Sequence, residues 1–276
     1  MESPADLQKT LKDVWSYLSD EAKEEAALLV EDITDIWEPQ VGPQSQAAQC
    51  GADILFYGGQ AGGGKTDLVI GLSQTKHYKT GIFRREGVEH TDIILRSRDL
   101  ADRRGKYRFN GQDNILYTAD KRIVEFLSCK DPGSEKKLQG REHDLKCFDE
   151  ITHFLESQFR FLCGWLRSTD PRATRTRIIC TGNPPTDSDG EWVIQFWGPW
   201  LDPNHPNPAE PGELRWYVTF DSGQEQPVDG PDPVIDPGTG EWVHPVSRTF
   251  IPSSVDDNMF RRSAGTNGSY RHCPSR

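Results

Sequence analysis

Short apolar runs alternate with amphipathic, helix-length segments along most of this chain. Runs with strand character lie at 54–57, 80–84, 115–117, 122–127, 145–148 and 177–180. Helix-like segments follow residue 66, cover 88–104 and begin again soon after residue 150. Strands that alternate with helices in this way predict an α/β fold, with a mostly parallel central sheet flanked by helices.

The two ends of the chain and the region after Asn183 have different patterns. Apolar residues recur at helical spacing from Leu7 to Leu18, and Asp20 can cap a second helix, which predicts a helical segment over 1–36. Prolines and glycines are frequent over 184–245, where we expect a β insertion with a turn at 236–240 between two short strands. Further strands are expected at 214–220 and 246–251. Residues 258–276 contain no Leu, Ile or Val, which predicts disorder.

The charge and the cysteine content indicate which partners and which cellular location to expect. The net charge of −11 argues against a surface that binds nucleic acid everywhere, although a local basic channel stays possible. Four arginines and no acidic residue follow Asp257, so the first 257 residues carry a net charge of −15. The six cysteines show no CxxC pairing, and Cys147 and Cys180 fall within predicted core strands. With no secretory signal and no apolar run that could span a bilayer, a reducing, cytoplasmic setting is expected.

Residues 59–66 carry the most specific motif of the chain. They read Gly-Gln-Ala-Gly-Gly-Gly-Lys-Thr and fit G-x-x-x-x-G-K-[ST], with a predicted strand before them and a helix after them. Gly59, Gly62, Gly63 and Gly64 allow backbone N–H groups to point at phosphate oxygens, and the helix N-terminus favours an anion. In this motif Lys65 reaches the β- and γ-phosphates and the Thr66 hydroxyl binds Mg²⁺. A nucleotide with Mg²⁺ is therefore the predicted ligand.

Two further strand ends carry polar residues suited to the same site. Asp149 and Glu150 follow the strand at 145–148; one carboxylate can hold Mg²⁺ and the other can act as general base on the attacking water. The alternative is that the pair only caps the following helix. Thr181, Gly182 and Asn183 end the next strand, where they could sense the γ-phosphate and couple it to a conformational change. Their alternative is an ordinary turn before two prolines.

Taken in order, these motifs resemble those of the ATPase domain of the large terminase subunit of tailed bacteriophages. The most specific matches are Phe-Asp-Glu-Ile-Thr at 148–152 and Thr-Gly-Asn-Pro-Pro at 181–185. Gln44, in a segment beginning at Trp37, resembles the glutamine that contacts adenine in that family. Phe83-Arg84-Arg85 resembles its arginine-ending second strand, and Gln139-Gly140-Arg141 lies where the family leads into the Asp-Glu strand. The similarity covers roughly residues 37–258.

The resemblance implies a specific biological role. It implies an ASCE-type P-loop NTPase domain over 37–257 that binds ATP and Mg²⁺ and hydrolyses ATP to pump double-stranded viral DNA into a capsid. Lys65, Asp149 and Glu150 would be its catalytic residues. It further implies a homo-oligomeric ring in the cytoplasm of the bacterial host, with the portal protein and the terminase small subunit as partners and no membrane.

The chain departs from the family pattern in two ways. Where many members carry an arginine inside the phosphate loop, this chain has Ala61, so an arginine finger must come from elsewhere. The candidates are Arg84, Arg85 and Arg141, with Arg103 and Arg104 as further possibilities. In addition, the resemblance to the family places the end of the ATPase domain near residue 258, and we expect no nuclease domain in this chain. The changed composition of 258–276 suggests an altered reading frame or a truncated prophage gene.

Other interpretations stay open at the level of sequence. The chain could be another P-loop motor on nucleic acid, such as a helicase-like ATPase. It could also be a truncated, non-catalytic remnant that still binds ATP or the portal. A basic segment could contact DNA phosphates, although a solvated face explains it equally well; its members are Arg96, Arg98, Arg103, Arg104, Lys106 and Arg108.

Overall fold

The structure is a computed structural model of the chain, and it describes Ser19 and residues 36–60, 62–185 and 188–254. The chain divides into two compact units, Met1–Glu38 and Pro39–Arg276. The predicted N-terminal helices and the predicted disordered tail lie outside the described residues. Their boundaries therefore stay predictions, and the account below concerns the second unit.

A ten-stranded sheet forms the centre of this unit. Its strands stand in the order β3-β4-β5-β2-β6-β7-β1-β12-β8-β9, and β10 and β11 form a separate two-stranded ribbon. In chain order the strands are β1 (Ile54–Gly59), β2 (Lys79–Arg84), β3 (Arg108–Asn110), β4 (Ile115–Tyr117), β5 (Ile123–Ser128), β6 (Leu145–Phe148), β7 (Arg177–Gly182), β8 (Arg215–Thr219), β9 (Glu225–Val228), β10 (Val234–Ile235), β11 (Trp242–Val243) and β12 (Val246–Ser253).

The six central strands, from β5 to β12, are mutually parallel. Antiparallel pairs extend the sheet at both edges, through β3 and β4 on one side and β8 and β9 on the other. All six parallel strands end at the same edge, where an open α/β sheet binds its ligands. Strand β7 lies between β1 and β6. The predicted α/β fold with a mostly parallel central sheet is thus confirmed.

Helices cover both faces of the sheet. In chain order they are α1 (Pro43–Gln49), α2 (Lys65–Thr75), α3 (His90–Arg104), α4 (Glu156–Cys163), α5 (Glu191–Phe196) and α6 (Gly198–Leu201), with 3-10 turns at Gly87–Glu89, Ser134–Leu138, Ile151–His153 and Ser188–Gly190. Helix α2 packs on β2, β7 and α3. On the opposite face an aromatic core joins the sheet to α4 and α5: Phe148 stacks on Phe83 at 5.1 Å, and Phe159 contacts Trp192 at 5.2 Å.

Two polar or proline-rich regions contain more structure than their pattern predicts. The polar link before β1 includes α1, which forms because Pro43 suits a first helical turn and Ala47 is buried. The region after Asn183 contains α5 and α6, and its strands β8 and β9 extend the main sheet. The predicted turn at 236–240 is confirmed, since it joins the antiparallel strands β10 and β11.

The structure also shows the environment of the cysteines and the length of the apolar helices. Cys147 and Cys180 are fully buried in β6 and β7, and their burial raises the pKa of both thiols. The five cysteines within the described part of the chain are free. No helix in that part is both long and apolar enough to cross a membrane.

Candidate functional site

Strand β1, the glycine-rich loop and α2 form the first wall of the candidate site. Gly59 has a φ of 133°, and a Cβ there would lie 2.4 Å from the carbonyl oxygen of Ser253, so no other residue fits. Gly64, which directly precedes α2, has a φ of 74° in the left-handed region and provides no side-chain cap. The first N–H groups of α2 consequently lack intrahelical partners, which is the arrangement that binds phosphate.

Lys65 lies across the mouth of this loop. Its ammonium group donates hydrogen bonds to the carbonyl of Gln60 at 2.8 Å and to the side-chain oxygen of Asn183 at 3.0 Å. Burial lowers the pKa of Lys65, and the nearby carboxylates of Glu150 and Asp149 act in the opposite direction. The predicted phosphate-binding lysine is therefore close to both predicted acidic residues and to the end of β7.

Asp149 follows β6 directly and is almost fully buried. One carboxylate oxygen accepts hydrogen bonds from Arg84, at 2.8 Å from Nε and 2.5 Å from Nη2. The other oxygen accepts a short hydrogen bond from the Thr181 hydroxyl. Side chains from the ends of β2 and β7 thus fix the orientation of this carboxylate on both sides.

Glu150 has a backbone conformation that is rare for its residue type. Its φ and ψ are both 58°, in the left-handed region, which costs a residue with a Cβ about 1 kcal/mol. The side chain is partly exposed, and its carboxylate has no hydrogen-bond partner among the described residues. A cavity of about 450 Å³ adjoins Glu150, Asn183 and the segment before α3. A carboxylate on a strained backbone beside open space is suited to act as a general base.

The end of β7 joins the two halves of the site. Thr181 donates to Asp149, and Asn183 accepts from Lys65, so the predicted coupling residues contact both the acidic strand and the phosphate loop. Gly182 lies between them with its Cα facing Ile151, the residue after Glu150.

The donor set fits a nucleotide with a divalent cation. Mg²⁺ prefers oxygen ligands, and Asp149 and the half-buried Thr66 supply a carboxylate and a hydroxyl close to the loop. The N–H groups at the start of α2 and the ammonium group of Lys65 match the negative charge of a phosphate chain. The residues present are thus those that an ATP–Mg²⁺ complex needs.

Gln44, for which an adenine contact is predicted, binds backbone groups on both sides of its amide. Its side-chain oxygen accepts from the backbone N–H of Gln40 at 2.6 Å, and its Nε2 donates to the carbonyl of Gly64 at 2.9 Å. The side chain is 3% exposed. The buried amide thus links the segment before α1 to the end of the phosphate loop, and the contact with adenine stays a prediction.

The arginine candidates fall into two groups. Arg84 lies in the site but is bound to Asp149, while Arg85 donates to the carbonyls of Lys130 and His153. Arg141 pairs with Glu125 at 2.6 Å, towards the opposite end of the strands. The structure therefore does not bring Arg141 to the phosphate loop of its own chain. Arg104 is remote as well, since it pairs with Asp120.

Most of the basic segment is engaged within the chain. Arg96 pairs with Asp67 at 2.9 Å, Arg98 contacts the rings of Tyr107 and Phe109, and Arg108 stacks on Tyr117 at 4.1 Å. These contacts favour the interpretation of a solvated, internally paired face over a dedicated DNA surface.

Two loop-supporting residues were not predicted. The Tyr57 hydroxyl donates to the carbonyl of Gly63 at 3.0 Å, and the carbonyl of Ser253 accepts from the N–H of Gln60 at 3.1 Å. A tyrosine inside an otherwise apolar strand is a signal for the first contact. Nothing in the sequence indicates the second, because Ser253 is nearly 200 positions away and becomes adjacent only through the pairing of β12 with β1.

Comparison with known proteins adds the following. No protein-family model matches the sequence. No curated protein matches it either. Among solved structures, the chain is similar to the large terminase of the thermophilic bacteriophage D6E, with 13% identity, a TM-score of 0.47 and coverage of 84% of this chain and 52% of that one. It is also similar to the large terminase ATPase domain of Thermus phage P74-26, with 11% identity, a TM-score of 0.48 and coverage of 83% and 86%.

A third similar structure is the viral genome packaging motor assembly of bacteriophage phi-29, with 13% identity, a TM-score of 0.40 and coverage of 69% of this chain and 57% of that one. This chain thus spans about half the length of the D6E protein. These three structures are of two large terminases and one packaging motor.

Proposed function

We propose that this chain is an ATPase that hydrolyses ATP with Mg²⁺. The observation that carries the proposal is the meeting of Lys65, Asp149 and Glu150 at one edge of the sheet, joined by the end of β7. A phosphate-binding lysine, a metal-binding carboxylate and a second carboxylate beside open space are the groups that NTP hydrolysis needs.

Each residue has a distinct task in this proposal. The N–H groups of the loop and Lys65 bind the phosphates, and Thr66 and Asp149 would hold Mg²⁺, which when bound neutralises phosphate charge. Glu150 accepts a proton from the attacking water. Asn183 and Thr181 contact Lys65 and Asp149 respectively, so a change at the phosphates is passed to the end of β7.

We further propose that hydrolysis drives the packaging of double-stranded viral DNA in the cytoplasm of a bacterial host. The ordered set of motifs shared with phage large terminases supports this assignment. A packaging motor must accept any sequence, so we expect it to contact DNA through backbone phosphates and not through base edges. The corresponding partners are the portal protein, the small terminase subunit and further copies of this chain in a ring.

The test is ATP hydrolysis by the purified chain with Mg²⁺, measured with and without double-stranded DNA. We expect turnover that DNA stimulates. Separation of the strands of the same DNA, followed in parallel, would instead favour a helicase-like motor. Retained ATP binding with no turnover under either condition would favour a non-catalytic remnant.

The substitution Glu150→Gln tests the assignment of the general base. It keeps the shape of the side chain but removes the proton acceptor, so we expect hydrolysis to fall by about 10²-fold or more. ATP binding, measured by equilibrium titration, should be retained because Glu150 donates nothing to the phosphates. Unchanged turnover would show that another group activates the water.

A further inference from the structure

Arg84 makes a set of contacts that an arginine finger would not make. It ends β2, next to β6, and two of its nitrogens donate to one carboxylate oxygen of Asp149, at 2.8 and 2.5 Å. Its third nitrogen, Nη1, donates to the carbonyl of Glu89, just before α3, at 2.5 Å. All three nitrogens of the guanidinium are therefore engaged in hydrogen bonds within the chain.

This pairing has an electrostatic consequence for Asp149. The Asp149 side chain is 3% exposed and the Arg84 side chain 18%, so solvent screens their attraction only weakly. The oxygen that Arg84 does not contact already accepts from Thr181. A divalent cation that approaches Asp149 therefore meets a carboxylate whose charge is neutralised and whose two oxygens are both engaged.

We propose that Arg84 competes with the divalent cation for Asp149 and so sets the cation concentration at which the site accepts a metal–nucleotide complex. The role of the metal rests on the proposed ATPase function. Arg84 is on this account a positioning residue: it holds the carboxylate in place and yields it to the cation. Because Nη1 is bound to Glu89, release of Asp149 also alters the contact between the site and the start of α3.

The neighbouring arginine provides a matched control. Arg85 carries the same charge one residue further on, but it donates to the carbonyls of Lys130 and His153 and lies 3.6 Å from Asp189. Removing its charge frees no oxygen of Asp149. A change in metal affinity that is specific to Arg84 is therefore an effect of the Asp149 contact and not of net charge.

The experiment is a titration of the full chain with Mn²⁺, followed by electron paramagnetic resonance of the free ion, with and without ADP. Mn²⁺ shares the preference of Mg²⁺ for oxygen ligands. The midpoint of the titration is the free Mn²⁺ concentration at which half of the sites are occupied. For Arg84→Gln we expect this midpoint to fall about tenfold relative to the wild type, because the competing charge is removed. Arg85→Gln should leave the midpoint unchanged, and Asp149→Asn should abolish the difference that Arg84→Gln produces.

An equal or higher midpoint in Arg84→Gln would overturn the proposal and leave Arg84 as a purely structural brace. Arg84→Lys, which keeps the charge, serves if the glutamine variant does not fold, and its midpoint should stay near that of the wild type. Failure of ADP to bind the wild type at any Mn²⁺ concentration would count against the proposed ATPase function. The titrations without ADP would still decide the competition at Asp149.

Discussion

At Glu150 the backbone and the side chain have opposing requirements. The position has a φ of 58°, which glycine adopts without strain, yet the proposed chemistry requires a carboxylate. Such strain persists only where the surrounding structure enforces it, and it is concentrated at functional sites. Here the enforcing contacts come from β6, which ends at Phe148, and from the 3-10 turn Ile151–His153 that follows.

Comparing two substitutions at Glu150 measures this strain. Glu150→Gly and Glu150→Ala both remove the carboxylate, but only alanine keeps a Cβ in the left-handed region. We expect the glycine variant to be more stable than the alanine variant by about 1 kcal/mol, measured by urea unfolding. Equal stabilities would mean that the backbone relaxes at this position once the carboxylate is gone.

The residues of the candidate site could be predicted from the sequence where they belong to a motif, but the contacts between their side chains could not. Lys65, Asp149 and Glu150 follow from their positions after predicted strands, and the structure brings them together. Gln44 and Arg84 were also singled out, but their partners, Gly64 and Asp149, depend on how distant segments approach each other. A sequence pattern shows which groups are available and does not show which of them bind one another.

At the scale of elements, strands with an apolar pattern were predictable to within a residue or two. β4 and β6 have the predicted bounds, and β1, β2, β5, β7 and β12 begin within one residue of them. α1 and β9 were missed because their sequences, PQSQAAQ and EQPV, are polar. Tertiary contacts stabilise these two elements: α1 packs on β12, and β9 pairs with β8.

The junction between the phosphate loop and β12 leads to a prediction at this scale. A Cβ at Gly59 would clash with the Ser253 carbonyl and the backbone has a strongly positive φ, so Gly59→Ala should lower the free energy of unfolding by about 3 kcal/mol. Gly51→Ala is the control, because no atom lies within 4 Å of its added Cβ. Urea unfolding of both variants is the measurement, and equal losses would contradict the proposed clash.

At the scale of the whole molecule, the sheet carries a buried charge away from the site. Lys146, in β6, has no exposed surface, and its ammonium group lies 3.1 Å from the Nδ1 atom of His143. Burial lowers the pKa of Lys146 to about 8, and the nearby Cys163 and Glu125 act in the opposite direction. Burial would raise the pKa of Glu125, but His143 and Arg141 lower it to about 2.

The lowered pKa of Lys146 predicts a pH dependence of stability. Between pH of about 8 and the model-compound pKa of 10.5, the unfolded chain keeps a proton on this lysine that the folded chain has lost. The free energy of unfolding therefore rises across this range, by at most about 3 kcal/mol, and that contribution is lost as the pH falls through 8.

Lys146→Met removes the titrating group and should remove this rise. We expect the stability of the variant relative to the wild type to fall by up to about 3 kcal/mol between pH 8 and 10.5, in urea unfolding at a series of pH values. Lys106→Met, at an exposed position, should parallel the wild type throughout. If the free energy of unfolding of Lys146→Met depends on pH as that of the wild type does, Lys146 has the same pKa in the folded and the unfolded chain.

The contact of Ser253 with the phosphate loop has a mechanical consequence. β12 pairs with β1 in parallel over six residues, from Ile54 with Arg248 to Gly59 with Ser253. A tension applied along β12 would load these hydrogen bonds together in shear instead of peeling them apart one by one. Because Ser253 also holds the N–H of Gln60, the same tension would act on the phosphate loop while the sheet is still intact. The loop is thus directly in the path of any force that β12 transmits.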